Sequence, residues 1–174
     1  MDGITRIAPH AASSQRLLDS NIRLERLYPH PRAKVWMALT DPRLIAAWLM
    51  RPDGFEPRVG CKFRLTAKPM PGWRGYVDCE VTALEEERLL QYTWAGDESG
   101  KVLTVTWTLE DAADGTRLRL AHEGFQGVGG FVLAKMMMGP GWKKMMARHL
   151  PSVLERLGDD GSFTPDPKLD KSFH

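Results

Sequence analysis

The chain has 174 residues, of which 43% are hydrophobic and 26% charged, with a formal net charge of +2. This length and composition fit one globular domain with its own core and exclude a disordered or fibrous chain. Lys and Arg are scattered rather than grouped in a stripe, so we expect no nucleic-acid partner. No apolar run approaches the roughly 20 residues of a membrane span, and the N-terminus lacks a signal-peptide pattern. We therefore expect no membrane insertion and a cytoplasmic location.

The first third of the chain predicts one strand and two short helices after a polar arm. Residues 1–19 are polar and irregular, which indicates a flexible arm. Residues 20–28 alternate apolar and charged side chains, which indicates a strand. Pro31 fits a helix start, where its missing N–H is not needed. Asp41 and Pro42 separate this helix from a second short one.

The middle of the chain predicts successive antiparallel strands joined by short turns. Apolar residues occupy alternate positions in five segments, 61–67, 73–84, 88–94, 101–110 and 117–125. Turn sequences such as PMPG and GDESG lie between them. This pattern is typical of an antiparallel sheet with one buried and one solvated face.

The last third predicts a long helix with two interruptions. Large side chains recur every three to four residues along one helix face, at Trp142, Met146, Leu150, Val153 and Leu157. Pro140 and Pro151 lie within this pattern, so we expect a start, break or kink of the helix at Pro140 and a bend at Pro151. Residues 159–174 are polar and rich in turn formers, which indicates a tail. A single domain then spans 20–158.

These elements favour an α+β fold with one buried sheet face. One amphipathic helix covers a sheet of six or seven strands only if the sheet curls around it, and the two short helices then close one end. Large aromatic side chains of the sheet face a methionine-rich helix. Such an arrangement often leaves an apolar space with a few polar groups, which is the usual composition of a small-molecule site.

A series of motifs resembles one known family. The run PHPRAKVWMALTDPRLIAAW is similar to the opening of the Activator-of-Hsp90-ATPase-like family, within the START/Bet v 1-like (SRPBCC) superfamily. The motifs VGCKFRL, RGYVDCEV, RLLQYTW, TVTWTLE, DGTRLRLAHEGF and GW…LPSVLERL follow in that family's order. The resemblance covers about residues 20–158 and implies a helix-grip fold, in which a curved antiparallel sheet holds a long C-terminal helix with a cavity between them. It implies the fold more specifically than an activity, because members range from ligand carriers to co-chaperone modules and a few cyclases.

From this fold we expect a small hydrophobic or amphipathic ligand to bind between the sheet and the C-terminal helix, without a cofactor or a metal. The expected lining residues are Trp48, Phe63, Val77, Tyr92, Trp94, Trp107, His122, Met138, Trp142 and Met145. His122 and Tyr92 are the polar groups expected to orient the ligand. Burying about 200 Å² of apolar ligand surface would contribute on the order of 5 kcal/mol before ordering costs.

Alternatives stay open for function and for single residues. One is a cyclase- or hydrolase-type enzyme on a polyketide-like substrate with His122 as base, and another is a co-chaperone-like interaction module. The sequence has no recognisable catalytic constellation, because the acidic residues fall on outward positions and no Ser-His-Asp or metal motif occurs. The methionines of 135–146 fit core packing, cavity lining or a homodimer contact. Consecutive helical residues are about 100° apart, so Met136, Met137 and Met138 cannot all face inward.

Two further features bear on chemistry. Cys61 and Cys79 fall nearly opposite each other in the predicted hairpin, and we favour two small buried thiols over a disulfide. Residues 124–130, GFQGVGG, fail both phosphate-loop patterns. We interpret them as a flexible connection that can gate the cavity.

Overall fold

The computed structural model describes residues 20–96 and 100–168, and these form a single antiparallel sheet with helices on one face. The predicted arm, 1–19, and the tail beyond 168 lie outside the described residues. The strands are β1 (Ile22–Tyr28), β2 (Arg51–Asp53), β3 (Lys62–Thr66), β4 (Tyr76–Glu85), β5 (Leu89–Trp94), β6 (Leu103–Ala112) and β7 (Gly115–Glu123). Their order in the sheet is β1-β7-β6-β5-β4-β3-β2. The predicted α+β helix-grip fold is confirmed.

Side-chain alternation in the strands separates a buried face from a solvated one. In β7, Leu118, Leu120 and His122 are buried, and the residues between them are partly exposed. The outer face carries ion pairs such as Arg119 with Glu25, 2.7 Å apart. The alternation read from the sequence therefore assigned the strand faces correctly.

β2 was not predicted, because its three residues show no apolar alternation. It pairs with β3 at the edge of the sheet, with Pro52 opposite Leu65. A proline cannot donate to a central ladder, and an edge strand tolerates it.

Two short helices close one end of the sheet. They are α1 (Arg32–Thr40) and α2 (Pro42–Trp48). Pro31 immediately precedes α1, and the Asp41 carboxylate accepts a hydrogen bond from the Arg43 N–H at 2.8 Å, which caps α2. Both helices bury their apolar faces against the sheet and against the helical segment 150–156.

The C-terminal helix runs through residues 127–156 without a break. Its consecutive segments are α3 (Gly127–Val132), π1 (Leu133–Met138), α4 (Gly139–Lys144), π2 (Met145–His149) and α5 (Leu150–Arg156). Every residue at a junction has helical backbone angles, so the helix is not interrupted at either proline and a break at Pro140 is excluded.

The reason lies in the π-helical turn that precedes each proline. The Gly139 N–H donates to the Ala134 carbonyl, and the Leu150 N–H to the Met145 carbonyl, each five residues back. A proline ring normally collides with the carbonyl four residues before it. The wider turn carries an extra residue, which relieves that collision and lets the helix continue.

Two close contacts fix the sheet and the helix. The Tyr28 hydroxyl donates to the Met146 carbonyl at 2.7 Å, which ties β1 to the helix. At the β6–β7 turn Gly115 has φ of 140°, and a Cβ there would lie 2.0 Å from the Tyr28 carbonyl oxygen, so only glycine fits.

Across the described ranges, no helix has the length and apolar character that a bilayer crossing requires.

Cys79 lies in β4 and Cys61 immediately precedes β3, and the two are not directly opposite each other. Cys79 faces Phe63 in the register, and both thiols are free and buried. Cys61 is therefore two positions from the residue opposite Cys79, and the expectation of two buried thiols is confirmed.

Candidate functional site

A small cavity lies where the short helices meet the sheet. Its volume is about 10 Å³, which is room for about one water molecule. Its walls are Leu39, Ile45, Trp48, Leu49, Phe55, Phe63, Leu65, Leu90, Tyr92 and Trp107. Four of the residues expected to line a ligand site, Trp48, Phe63, Tyr92 and Trp107, therefore meet at one place.

Tyr92 supplies a polar group in this cavity wall. Its hydroxyl oxygen accepts a hydrogen bond from the Trp107 indole N–H at 3.1 Å. Burial raises the pKa of Tyr92 above its usual value, so the phenol keeps its proton. Among the described residues, that proton is donated to no acceptor. Tyr92 is therefore a neutral donor facing an apolar space.

His122 lies in a second group, formed by aromatic rings at the end of β7. The rings of Trp94, Phe125 and Trp142 lie 5.3, 4.8 and 5.9 Å from the imidazole. The Trp142 indole N–H donates to His122 Nδ1 at 3.0 Å. Because Nδ1 is the acceptor, the proton of the neutral imidazole resides on Nε2.

The Nε2 atom of His122 is buried and has no hydrogen-bond partner in the part of the chain that the structure describes. Burial lowers the pKa of His122 to about 3, so the ring is neutral near pH 7. An unpaired buried donor costs about 1–3 kcal/mol, and native structures contain few of them. His122 therefore offers an N–H to any acceptor oxygen that reaches it.

Edge-to-face tryptophans connect the two groups. Trp107 lies 5.7 Å from Trp48 in the cavity wall and 5.5 Å from Trp142 beside His122, measured between ring centroids. Trp94 lies 5.5 Å from Trp142. Two donors, the Tyr92 hydroxyl and the His122 N–H, are thus set in one continuous aromatic wall.

Three other residues expected at the site are not part of the cavity wall. Val77 is fully buried in the core but is absent from the cavity wall. Met138 and Met145 are partly buried and pack against the core, and neither lines the cavity. The methionines of 135–146 differ in burial: Met146 is a core residue, while Met136 and Met137 are exposed.

Sequence reasoning missed two aromatic residues that lie outside regular strands. Phe55 packs edge-to-face on Phe63, with ring centroids 4.9 Å apart, and lines the cavity. Phe125 covers the His122 ring from the link between β7 and the helix. Each is an aromatic residue in a loop flanked by glycine or proline. Because such a ring is seldom solvent-exposed, this pattern could have predicted that both are buried.

The surroundings of His122 differ from those of a general base. Its ring neighbours are aromatic, and the shift of its pKa has burial as its cause, with no carboxylate contribution. No group of three or more His, Cys, Asp or Glu side chains that could hold a metal occurs within residues 20–96 and 100–168. The arrangement can donate hydrogen bonds and stack on a planar molecule.

The family assignment rests on the sequence match. The family model described as Activator of Hsp90 ATPase homolog 1-like protein matches residues 29–155. The chain belongs to this family. No curated protein matches the sequence.

Solved structures similar to this family member share its fold. Protein MLL2253 from Mesorhizobium loti is 34% identical, with a TM-score of 0.69 over 79% of this chain and 98% of that one. CalU16 from Micromonospora echinospora is 25% identical, with a TM-score of 0.63 over 87% of this chain and 80% of that one. DynU16, a protein of the dynemicin biosynthetic locus, is 28% identical, with a TM-score of 0.67 over 79% of this chain and 48% of that one.

Proposed function

We propose that this protein binds a small, mostly apolar molecule that carries an acceptor oxygen, between the sheet and the C-terminal helix. The observation that carries the proposal is the pair of buried donors, Tyr92 and His122, neither of which donates to an acceptor among the described residues. A neutral carbonyl, ether or ester oxygen would satisfy such a donor and recover about 1–3 kcal/mol.

Ligand entry requires the helix or its side chains to move. The cavity of about 10 Å³ is too small for an organic molecule, and none of its walls belongs to the C-terminal helix, so binding between the sheet and that helix needs an open form. The first half of the C-terminal helix is suited to move, because Gly124 and Gly127 at its start have φ of 102° and 67°. The π1 segment adds to this, since π turns inside helices are frequent at functional sites.

In the open form the apolar part of the ligand would pack on Trp107 and Phe63. The ligand oxygen would accept a hydrogen bond from the Tyr92 hydroxyl or from the His122 Nε2–H. For the second of these, the Phe125 ring would have to move away from the imidazole. Leu133, Met138 and Met145 pack against the core from the helix, and the two unbranched thioether chains can adapt to different ligand shapes.

The orientation of His122 favours binding over catalysis. A general base needs a free lone pair, while the Nδ1 lone pair of His122 is taken by Trp142 and its Nε2 carries the proton. The likeness to DynU16, from a biosynthetic locus, supports a small organic product or intermediate as the ligand.

Binding of Prodan, a neutral naphthyl ketone with environment-sensitive fluorescence, tests this function. The wild-type protein should bind it saturably with a blue-shifted emission. Tyr92→Phe and His122→Leu each remove one donor with little change in volume, and each should weaken binding at least about 5-fold if its donor holds the ketone. Tyr76→Phe is the matched control, because the Tyr76 ring lies on the outer face between Arg64 and Arg74.

Two results would contradict the proposal. One is a folded wild-type protein, by circular dichroism, that binds neither Prodan nor its long-chain analogue Laurdan. The other is equal affinity of the wild-type protein and both donor variants.

A further inference from the structure

The first half of the C-terminal helix presents large apolar side chains to solvent. The exposed fractions are 82% for Val128, 39% for Phe131, 45% for Val132, 74% for Met136 and 59% for Met137. Residues 128, 132 and 136 repeat every four positions and lie along one side of the helix. Below, these five residues are called the apolar helix face. Contiguous exposed apolar surface of this kind marks an interaction site.

The composition of this helix favours a fluid apolar partner over a protein surface. Residues 127–142 contain no Ser, Thr, Asn, Gln, Asp or Glu, and Lys135 is their only charged residue. Protein interfaces carry about one hydrogen bond per 100–200 Å² and a polar rim. A helix side that combines Phe and other large apolar residues with Lys instead fits the boundary between headgroups and acyl chains.

The charge of the helix indicates that the partner is negatively charged. Residues 124–154 contain no Asp or Glu. They contain four basic residues, all exposed, Lys135, Lys143, Lys144 and Arg148. Each basic residue near an anionic membrane surface contributes about 1 kcal/mol of attraction.

Two turns at the same end of the sheet add apolar residues. Neighbouring antiparallel strands alternate in direction, so the β3–β4 and β5–β6 connections leave the sheet where β7 enters the helix. Met70 in the first connection and Val102 in the second are more than half exposed. Asp97 and Glu98 of the second connection lie outside the described residues.

We propose that the apolar helix face and the four basic residues dock this protein peripherally onto a membrane surface that contains anionic lipid. The apolar side chains insert at the level of the headgroups, and the lysines and Arg148 contact lipid phosphates. The inference is independent of the proposed ligand site. If the ligand site and the membrane docking are both correct, the helix that moves to admit a ligand also contacts the membrane, from which an apolar ligand could come.

Vesicle co-sedimentation of the full chain tests the docking. Wild-type protein should sediment with phosphatidylcholine vesicles that contain phosphatidylglycerol, and much less with phosphatidylcholine alone or in high salt. Lys143→Gln with Lys144→Gln should weaken binding to the anionic vesicles about 30-fold, at about 1 kcal/mol for each lysine. The charge-matched control is Lys62→Gln with Arg88→Gln at the opposite end of the sheet, which should change binding less than about twofold, since surface charges beyond a Debye length are screened.

The apolar contribution is tested separately. Val128→Ser, Met136→Gln and Met137→Gln together should weaken binding more than about tenfold, because they replace the apolar surface that inserts among the headgroups with polar side chains. Leu27→Ser with Val59→Ser is the matched control, since both residues are about half exposed at the opposite end. All five changed positions are on the surface, so folding should be retained.

Three outcomes would overturn the docking proposal. Wild-type protein could fail to bind either vesicle, or the helix variants could bind like their controls. In the third, light scattering finds that the wild-type protein is a dimer and the triple variant a monomer, and neither protein binds vesicles. That result would assign the face to a second copy of the chain.

Discussion

The hydrogen bond between Trp142 and His122 predicts that two substitutions in one contact differ in cost. Trp142→Phe leaves His122 Nδ1 without its donor, in addition to the unpaired Nε2. That unpaired acceptor costs about 1–3 kcal/mol, and the smaller ring loses packing, so the free energy of unfolding should fall by roughly 2–5 kcal/mol. His122→Leu leaves the Trp142 N–H unpaired but removes the unpaired Nε2–H. The two terms offset, and stability should stay within about 1 kcal/mol of wild type.

Urea unfolding followed by far-ultraviolet circular dichroism measures both variants without relying on the altered tryptophan. Equal slopes against urea show that the changes report stability rather than a different unfolded state. The double variant should be more stable than the sum of the single costs implies, because it leaves none of the three polar atoms unpaired. A loss for His122→Leu as large as that for Trp142→Phe would refute the reasoning, since it would show that Nε2 has a stabilising partner.

Three further predictions follow from burial and backbone geometry. His122 binds its proton near pH 6.5 when unfolded and near 3 when folded, so its contribution to stability is complete above pH 6.5 and is lost as the pH falls. His122→Leu should therefore reduce the slope of unfolding free energy between about pH 6 and 4.5 by up to 1.4 kcal/mol per pH unit, measured by urea titrations. Gly139→Ala places a Cβ 2.9 Å from a carbonyl oxygen of the preceding turn and should lower the melting temperature, whereas Gly141→Ala, 3.9 Å from a flexible methionine end, should preserve or raise it. Cys61 and Cys79 are buried and free, so a thiol reagent should label them only slowly in the native protein and both rapidly after unfolding.

The sequence predicted the fold where local periodicity and burial agree. In β7 the alternation placed Leu118, Leu120 and His122 inward, and the structure buries all three. Helical geometry also required that one of the consecutive methionines face outward, and Met136 and Met137 do. These features depend only on the repeat of the backbone, which a single sequence contains.

Other features depend on contacts between distant segments. The local rule for proline predicted a start, break or kink at Pro140 and a bend at Pro151, but the helix is continuous because a π turn precedes each ring. Which nitrogen of His122 carries the proton was not predictable, because that is set by the contact with Trp142, twenty residues along the chain. The volume of the cavity likewise depends on how many side chains interlock, and no local pattern determines that.

The most direct measurement of ligand binding is the set of tryptophan indole N–H signals in a proton–nitrogen NMR spectrum during titration with Prodan. If the ligand enters the aromatic wall, the signals of Trp107 and Trp142 shift saturably, while that of Trp36, which belongs to neither aromatic group of the site, stays in place. If Trp107 and Trp142 remain unchanged at probe concentrations that saturate the fluorescence, the probe binds elsewhere and the site between sheet and helix is wrong.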